Sequence, residues 1–159
     1  EDILTIGLAA GLGADCAIEA GGKCFTAQFK PTPLTYAECE AEKGKLGIKE
    51  CNKYNDQDYW AGAVKQCGGV SKMPTQSDLE ELAKVLYNTS NINSDDTHNL
   101  TLDTSKASSM GFTGRFFSVW SEENNRYYAY IRDFNPTSSS GRYMASREAS
   151  RFRAVCLVD

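Results

Sequence analysis

Met73-Pro-Thr-Gln-Ser-Asp-Leu-Glu-Glu81 carries the clearest structural signal in the chain. Thr75 followed three residues later by Asp78 has the spacing of a capping box, in which each side chain accepts the other residue's backbone N–H at a helix start. Leu79, Leu82, Val85 and Leu86 then recur at helical intervals, so the segment predicts an amphipathic helix.

Upstream of this helix, Asp56 to Cys67 starts with an Asp cap candidate. It places Tyr59, Ala63 and Cys67 on one helical face, with Trp60 and Val64 beside them and Gly68-Gly69 as the stop. Earlier still, Pro31 and Pro33 break the chain, and Thr35 with Glu38 repeats the capping-box spacing before a short acidic helix bearing Cys39 and ending near Gly44. Cys16 and Cys24 enclose the turn signal Gly21-Gly22, and Cys24 to Lys30 alternates apolar and polar residues, which reads as a stapled hairpin leading into a first strand. Asp2 to Leu12 has a weak helical pattern damaged by Gly7, Gly11 and the adjoining Gly13, and reads as the frayed end of a longer helix.

Downstream, Asn88 to Met110 is rich in Asn, Ser, Thr and Asp and predicts a long surface loop, a length that often accompanies function. Asn88-Thr-Ser and Asn99-Leu-Thr match the glycosylation sequon. Strand patterns follow at Arg115 to Trp120, Tyr127 to Phe134, Arg142 to Ala145 and Phe152 to Val158, separated by turn-forming Asn124-Asn125 and Asn135 to Gly141. Helices followed by an antiparallel meander define an α+β domain.

At 159 residues the chain suits one compact domain, and its longest apolar neighbourhood, Ile6 to Leu12, is too short to span a bilayer. The formal charge of −4 disfavours nucleic acid, whose affinity rests on Lys and Arg neutralising phosphates. That charge is unevenly spread. Residues 1–100 carry 9 Lys and no Arg against 15 acids, whereas residues 101–159 carry 1 Lys and 7 Arg against 6 acids. Arginine's planar fork pairs bidentately and stacks on aromatic rings, so this segregation marks the C-terminal part as a contact surface.

Six cysteines, at 16, 24, 39, 51, 67 and 156, form an even set without a CxxC pair, as expected of disulfides in an exported protein. Six cysteines allow 15 connectivities. The chain begins at Glu1, which fits a sequence whose signal peptide or membrane anchor has been removed. A secreted or cell-surface location is therefore expected, with membrane or pilus anchoring through a preceding segment.

Four pieces stand in a telling order: the helix ending at Cys67, the Met73 to Glu81 helix start, Ser118-Val-Trp-Ser-Glu122, and Phe152-Arg-Ala-Val-Cys156. Together they resemble the C-type lectin-like fold in its compact bacterial branch, shared by formylglycine-generating enzymes and the variable proteins of diversity-generating retroelements. The resemblance covers residues 57–159, with residues 1–34 holding the helix end, hairpin and first strand, and residues 35–56 an insertion. It implies two main helices on an antiparallel sheet, with Cys67 bridged to Cys156 and with Cys16–Cys24 and Cys39–Cys51 left as local staples. The long bridge would restrict the unfolded chain by roughly 4 to 5 kcal/mol in the entropy model.

The resemblance also bounds the chemistry. The calcium-holding Glu-Pro-Asn or Gln-Pro-Asp and Trp-Asn-Asp tripeptides of sugar-binding lectins are missing. Glu122-Glu-Asn124 and Asn135-Pro136 are the nearest oxygen-rich features, so no cofactor is expected, with calcium a minor alternative. The reactive cysteine pair of formylglycine-generating enzymes is missing as well. His98 is the one histidine and lies in a polar loop, which argues against nucleophilic triads. The adjacent Glu122 and Glu123 point to opposite faces of a strand and would not flank one glycosidic bond. No enzyme activity, catalytic residue or metal ligand is therefore expected.

In Tyr127-Tyr-Ala-Tyr-Ile-Arg-Asp133, period two assigns Tyr127, Ala129 and Ile131 to the core, and Tyr128, Tyr130 and Arg132 to a recognition face. Tyr and Arg supply large contact area and directional hydrogen bonds, as in interface hot spots and paratopes. Trp120, Glu122, Asn124, Arg126, Arg142, Tyr143, Arg147 and Arg151 complete the candidate binding set. The run from Glu122 to Arg151 also resembles the variable segment of retroelement-diversified proteins in its Tyr, Ser, Arg and Asn content. The expected function is adhesin-like recognition of a surface protein or glycan. The alternative is a pilin-like structural subunit whose Arg/Tyr face docks on neighbouring subunits.

Overall fold

A computed structural model describes residues 15–93, 96–112, 117–139 and 141–158. The weak helix pattern at Asp2 to Leu12 and the first two residues of the Arg115 strand lie outside them. The described chain is mixed α+β, with four α-helices, two antiparallel sheets and three disulfides.

The first helix, α1 (Tyr36–Leu46), opens on the expected capping box: Thr35 Oγ1 accepts the Glu38 N–H at 3.1 Å, and Glu38 accepts the Thr35 N–H at 2.9 Å. Those hydrogen bonds hold the Glu38 carboxyl below its usual range. The helix does not stop near Gly44. One exposed glycine costs about 1 kcal/mol, whereas continuing past it buries Leu46 and lets Gly47 adopt the left-handed conformation, φ 81°, that closes a helix.

Helix α2 (Tyr59–Cys67) starts after Asp58 rather than Asp56. Asp58 Oδ1 accepts the Ala61 N–H at 2.9 Å, while Asp56 accepts the Tyr36 N–H at 3.0 Å and so steadies the start of α1 instead. Trp60, Ala61, Gly62, Ala63, Val64 and Cys67 are all buried. A β-carbon on Gly62 would fall 1.7 Å from the Thr32 carbonyl oxygen, so α2 packs backbone to backbone on the Pro31–Pro33 segment. Gly68, at φ 100°, ends the helix as expected.

Helix α3 (Gln76–Leu86) has its Thr75–Asp78 capping box and buries Leu79, Leu82 and Leu86. The polar segment after it is not a free surface loop. Ile92, Leu102 and Met110 are buried, Thr104–Ser109 forms α4 behind an Asp103 cap, and main-chain hydrogen bonds tie His98, Leu100 and Leu102 to Ser139, Thr137 and Pro136. Its few apolar residues are spaced widely enough to escape periodicity, yet they suffice to pin it.

The smaller sheet has the order β1 (Ile18–Ala20), β2 (Lys23–Phe25), β7 (Leu157–Val158). The expected strands Cys24 to Lys30 and Phe152 to Val158 are thus mostly irregular, joined by a bridge between Phe29 and Ala154 and by the Thr26 side chain accepting the Cys156 N–H at 3.0 Å. The larger sheet pairs β3 (Phe117–Glu123) with β4 (Tyr128–Asn135), and β4 on its other side with β5 (Ser138–Ser139) and β6 (Tyr143–Ser146). Cys16–Cys24, Cys39–Cys51 and Cys67–Cys156 are bonded, the connectivity the resemblance implies. Among the described residues no helix is long and apolar enough to cross a membrane. Three disulfides in a domain of this size are compatible with an extracellular protein.

Two apolar clusters lie against opposite faces of the β3–β4 ladder. One joins Trp120, Ala129, Ile131 and Ala145 to α1 and α2; the other joins Phe117, Val119 and Phe134 to α3, α4 and the small sheet. Residues 35–56 belong to the first cluster through Cys39, Leu46, Ile48 and Cys51.

Candidate functional site

Strand register sorts the eleven candidate residues. Ala129 pairs with Ala145 and Ile131 with Tyr143 on the α2 side of the sheet; Tyr128 pairs with Ser146 and Tyr130 with Met144 on the α3 side. The α3 side is not uniform along β4. Phe134 and Arg132, 0% and 2% exposed, lie beneath α3 and the 88–103 segment, whereas Tyr130 is half-buried and Tyr128 is 44% exposed, because that cover ends before it reaches them.

Arg132 is therefore an interior residue and not part of an open face. Its guanidinium donates to Ser139 Oγ at 3.2 Å and to the Asn93 carbonyl at 3.4 Å, binding the 88–103 segment to the sheet, and burial pulls its pKa below the ordinary range.

Trp120 is also buried, packed edge-on against Phe152 at 5.0 Å between ring centres. Arg147, equally enclosed, is the hub of the α2 side. It donates to both Asp58 oxygens, the closer at 2.8 Å from Nη2, to Glu123 at 3.3 Å and to the Asn125 carbonyl at 2.9 Å, and it lies 4.6 Å over the Trp60 ring. Such a cation is anchored by bidentate pairing and stacking, and at 0% exposure it presents nothing to a ligand. These three residues leave the candidate set because their chemistry is spent inside the domain.

The remaining eight reach the surface, Tyr130 only half-buried, with Tyr143 on the α2 side of the sheet. Tyr130 donates to Asn124 Oδ1 at 3.3 Å, and Arg142 lies 5.9 Å over the Tyr130 ring while donating to Gln76 Oε1 at 2.7 Å. Glu122 is exposed, but its carboxylate accepts the Gln76 N–H at 2.8 Å, at the positive end of α3. Arg126 pairs with Glu50 at 3.1 Å. Arg151, also exposed, stacks 4.3 Å over Phe152. Tyr143 is 41% exposed and donates its hydroxyl to the buried Asp133 at 2.7 Å; Ser118 donates to the same oxygen. Burial first, and then the Asp133 hydrogen bond, push the Tyr143 phenol up to about 12.

Two residues outside the expected set belong to this surface. Tyr127, assigned to the core by period two, is 44% exposed because it precedes β4; Asn125 Oδ1 accepts the N–H groups of both Tyr127 and Tyr128 and turns the chain there. Met144 is 50% exposed beside Tyr130, and its apolar character gave no sign of exposure.

The site is thus a shelf of Tyr128, Tyr130 and Met144, rimmed by Arg142, Asn124 and the Arg126-Tyr127 turn. Among the described residues no group of three or more His, Cys, Asp or Glu side chains is arranged to hold a metal ion. No family model, no curated protein and no solved structure matches the chain.

Proposed function

We propose that the chain is an extracellular C-type lectin-like binding module, not an enzyme, that recognises protein or glycan without a resident cofactor through the open end of its larger sheet. The observation that carries this reading is the shelf itself. Tyr128 and Met144 stand exposed and Tyr130 half-buried on paired strands, with Arg142 beside them and Arg147 and Trp120 buried on the other face. Rigid tyrosines present large amphipathic area at low entropic cost, and a rim arginine adds directional hydrogen bonds. Support for the lectin-like assignment comes from the Cys67–Cys156 bond, which ties α2 to the residue just before β7, and from the antiparallel contact of β2 with β7.

Retroelement-type diversification of residues 122–151 is consistent with this layout, since the exposed side chains of that run can change without disturbing Arg132 or Arg147. The test is to screen the oxidised protein on glycan and surface-protein arrays, with and without calcium, beside a Tyr128→Ala/Tyr130→Ala/Arg142→Ala variant. Selective binding that the triple variant loses by at least about tenfold supports the reading. Binding that the variant retains, or turnover of a bound substrate, overturns it.

A further inference from the structure

Among the described residues strand β6 pairs with β4 alone and forms one edge of the larger sheet. The Arg147 N–H donates to the Tyr127 carbonyl at 2.9 Å, which fixes the phase of the ladder. Residues opposite each other in an antiparallel pair alternate between exchanging hydrogen bonds and not. Ala145 and Tyr143 therefore turn their main-chain groups toward β4, and Met144 and Ser146 turn theirs outward. Among the described residues the Met144 N–H and C=O meet no partner, and the Ser146 C=O meets the Ala149 N–H at 3.0 Å.

Edge strands are usually guarded by Lys, Pro, a bulge or a covering loop. Tyr143-Met-Ala-Ser146 has no charge and no proline, and Tyr143 and Met144 are 41% and 50% exposed.

We propose that this edge pairs with the same edge of a second copy, antiparallel about a two-fold axis at Ala145. The strand is suited to itself. Centring the register on Ala145 sets Met144 of one protomer opposite Ser146 of the partner subunit, and these are the residues whose main-chain groups point outward, so two such pairs form a ladder without breaking any bond to β4. A carbonyl has two lone pairs, so the Ser146 bond to Ala149 does not prevent this. The charges also match. Arg142, which also donates to Gln76, precedes the strand and Glu148 lies in the turn that follows it, both exposed, and the antiparallel arrangement brings the arginine end of one protomer toward the Glu148 turn of the partner subunit at each end. Isologous two-fold contacts of this kind are the commonest in homo-oligomers.

Pairing joins the two larger sheets, so that Tyr128, Tyr130 and Met144 of both protomers form one continuous shelf. The dimer goes beyond the recognition reading and does not depend on it, since the edge exists whatever the shelf binds.

Sedimentation equilibrium of the oxidised chain from about 1 to about 500 μM tests it. The 17.5 kDa protomer should approach twice its mass as concentration rises. Met144→Pro removes an outward N–H and no bond to β4, a position where an edge strand tolerates proline, and should keep the protein monomeric with its near-UV circular dichroism unchanged. Arg142→Glu should weaken association at least about tenfold, and adding Glu148→Arg should restore it. A parent chain that stays monomeric throughout overturns the proposal, as does a folded Met144→Pro protein that still dimerises. If Met144→Pro unfolds, equal association of Arg142→Glu and the charge-swapped double variant overturns it instead. A monomer that still binds on the arrays would end the dimer and leave the recognition reading standing.

Discussion

The two ends of one sheet face differ more than its two faces do. On the α3 side of β4, Phe134 and Arg132 are sealed, and two to four residues further back Tyr130 is half-buried and Tyr128 open; on the α2 side, Asp133, Ile131 and Ala129 are sealed throughout. Alternation fixes which face a side chain takes, but the element lying across that face fixes whether it meets water. The arginines of the C-terminal segment divide on the same ground. Arg147 and Arg132 hold the interior together, and Arg126, Arg142 and Arg151 stand outside it.

Arg147→Ala should break this division most severely. It leaves Asp58 charged, buried and without its bidentate partner, and urea unfolding should show a loss of about 3–5 kcal/mol. Arg147→Lys should recover only part of that, because an ammonium cannot reproduce the fork over Trp60.

Gly62→Ala tests the wall behind the α2 side. With a β-carbon driven onto the Thr32 carbonyl, thermal unfolding should register a loss of about 1–3 kcal/mol, whereas Gly44→Ala, open on all sides in α1, should stabilise by up to about 1 kcal/mol.

Tyr143→Phe sits at the boundary between sealed and open, and loss of its hydrogen bond to Asp133 should cost about 1 kcal/mol. Its pH signature has a definite sign. The folded phenol titrates near 12 against an ordinary 10.0, so the native state holds its proton longer. Tyr143 therefore contributes stability that is intact below pH 10.0 and is lost as pH rises toward 12, and the parent should lose more across that window than Tyr143→Phe does. The smallest effect on stability belongs to the open end: Tyr128→Ala and Arg142→Ala should each change unfolding by no more than about 0.5 kcal/mol.

Much of this was legible in the residues. Thr75 with Asp78 and Thr35 with Glu38 announced two helix starts, and the resemblance to the C-type lectin-like fold implied the long disulfide between Cys67 and Cys156. Alternation in β4 correctly separated Ala129 and Ile131 from Tyr128 and Tyr130. It failed at Arg132, and the wider Arg/Tyr set failed at Arg147, because burial of a cation depends on partners that periodicity does not see: Asn93 and Ser139 for Arg132, Asp58 and Glu123 for Arg147. Tyr127 was misplaced for a local reason: an Asn125 turn ends the alternation one residue before the strand begins. Residues 88–110 looked free because apolar positions so far apart set up no period, although each finds a place in the core.

The division between sealed and open residues is tested most directly by scoring ligand binding and melting temperature side by side for single substitutions at Tyr128, Tyr130, Arg142, Arg132 and Arg147. Changes at Tyr128, Tyr130 and Arg142 should weaken binding at an unchanged melting temperature, and changes at Arg132 and Arg147 should lower the melting temperature. Variants at Arg132 or Arg147 that melt like the parent yet lose the ligand, or open-end variants that bind like the parent, would contradict it.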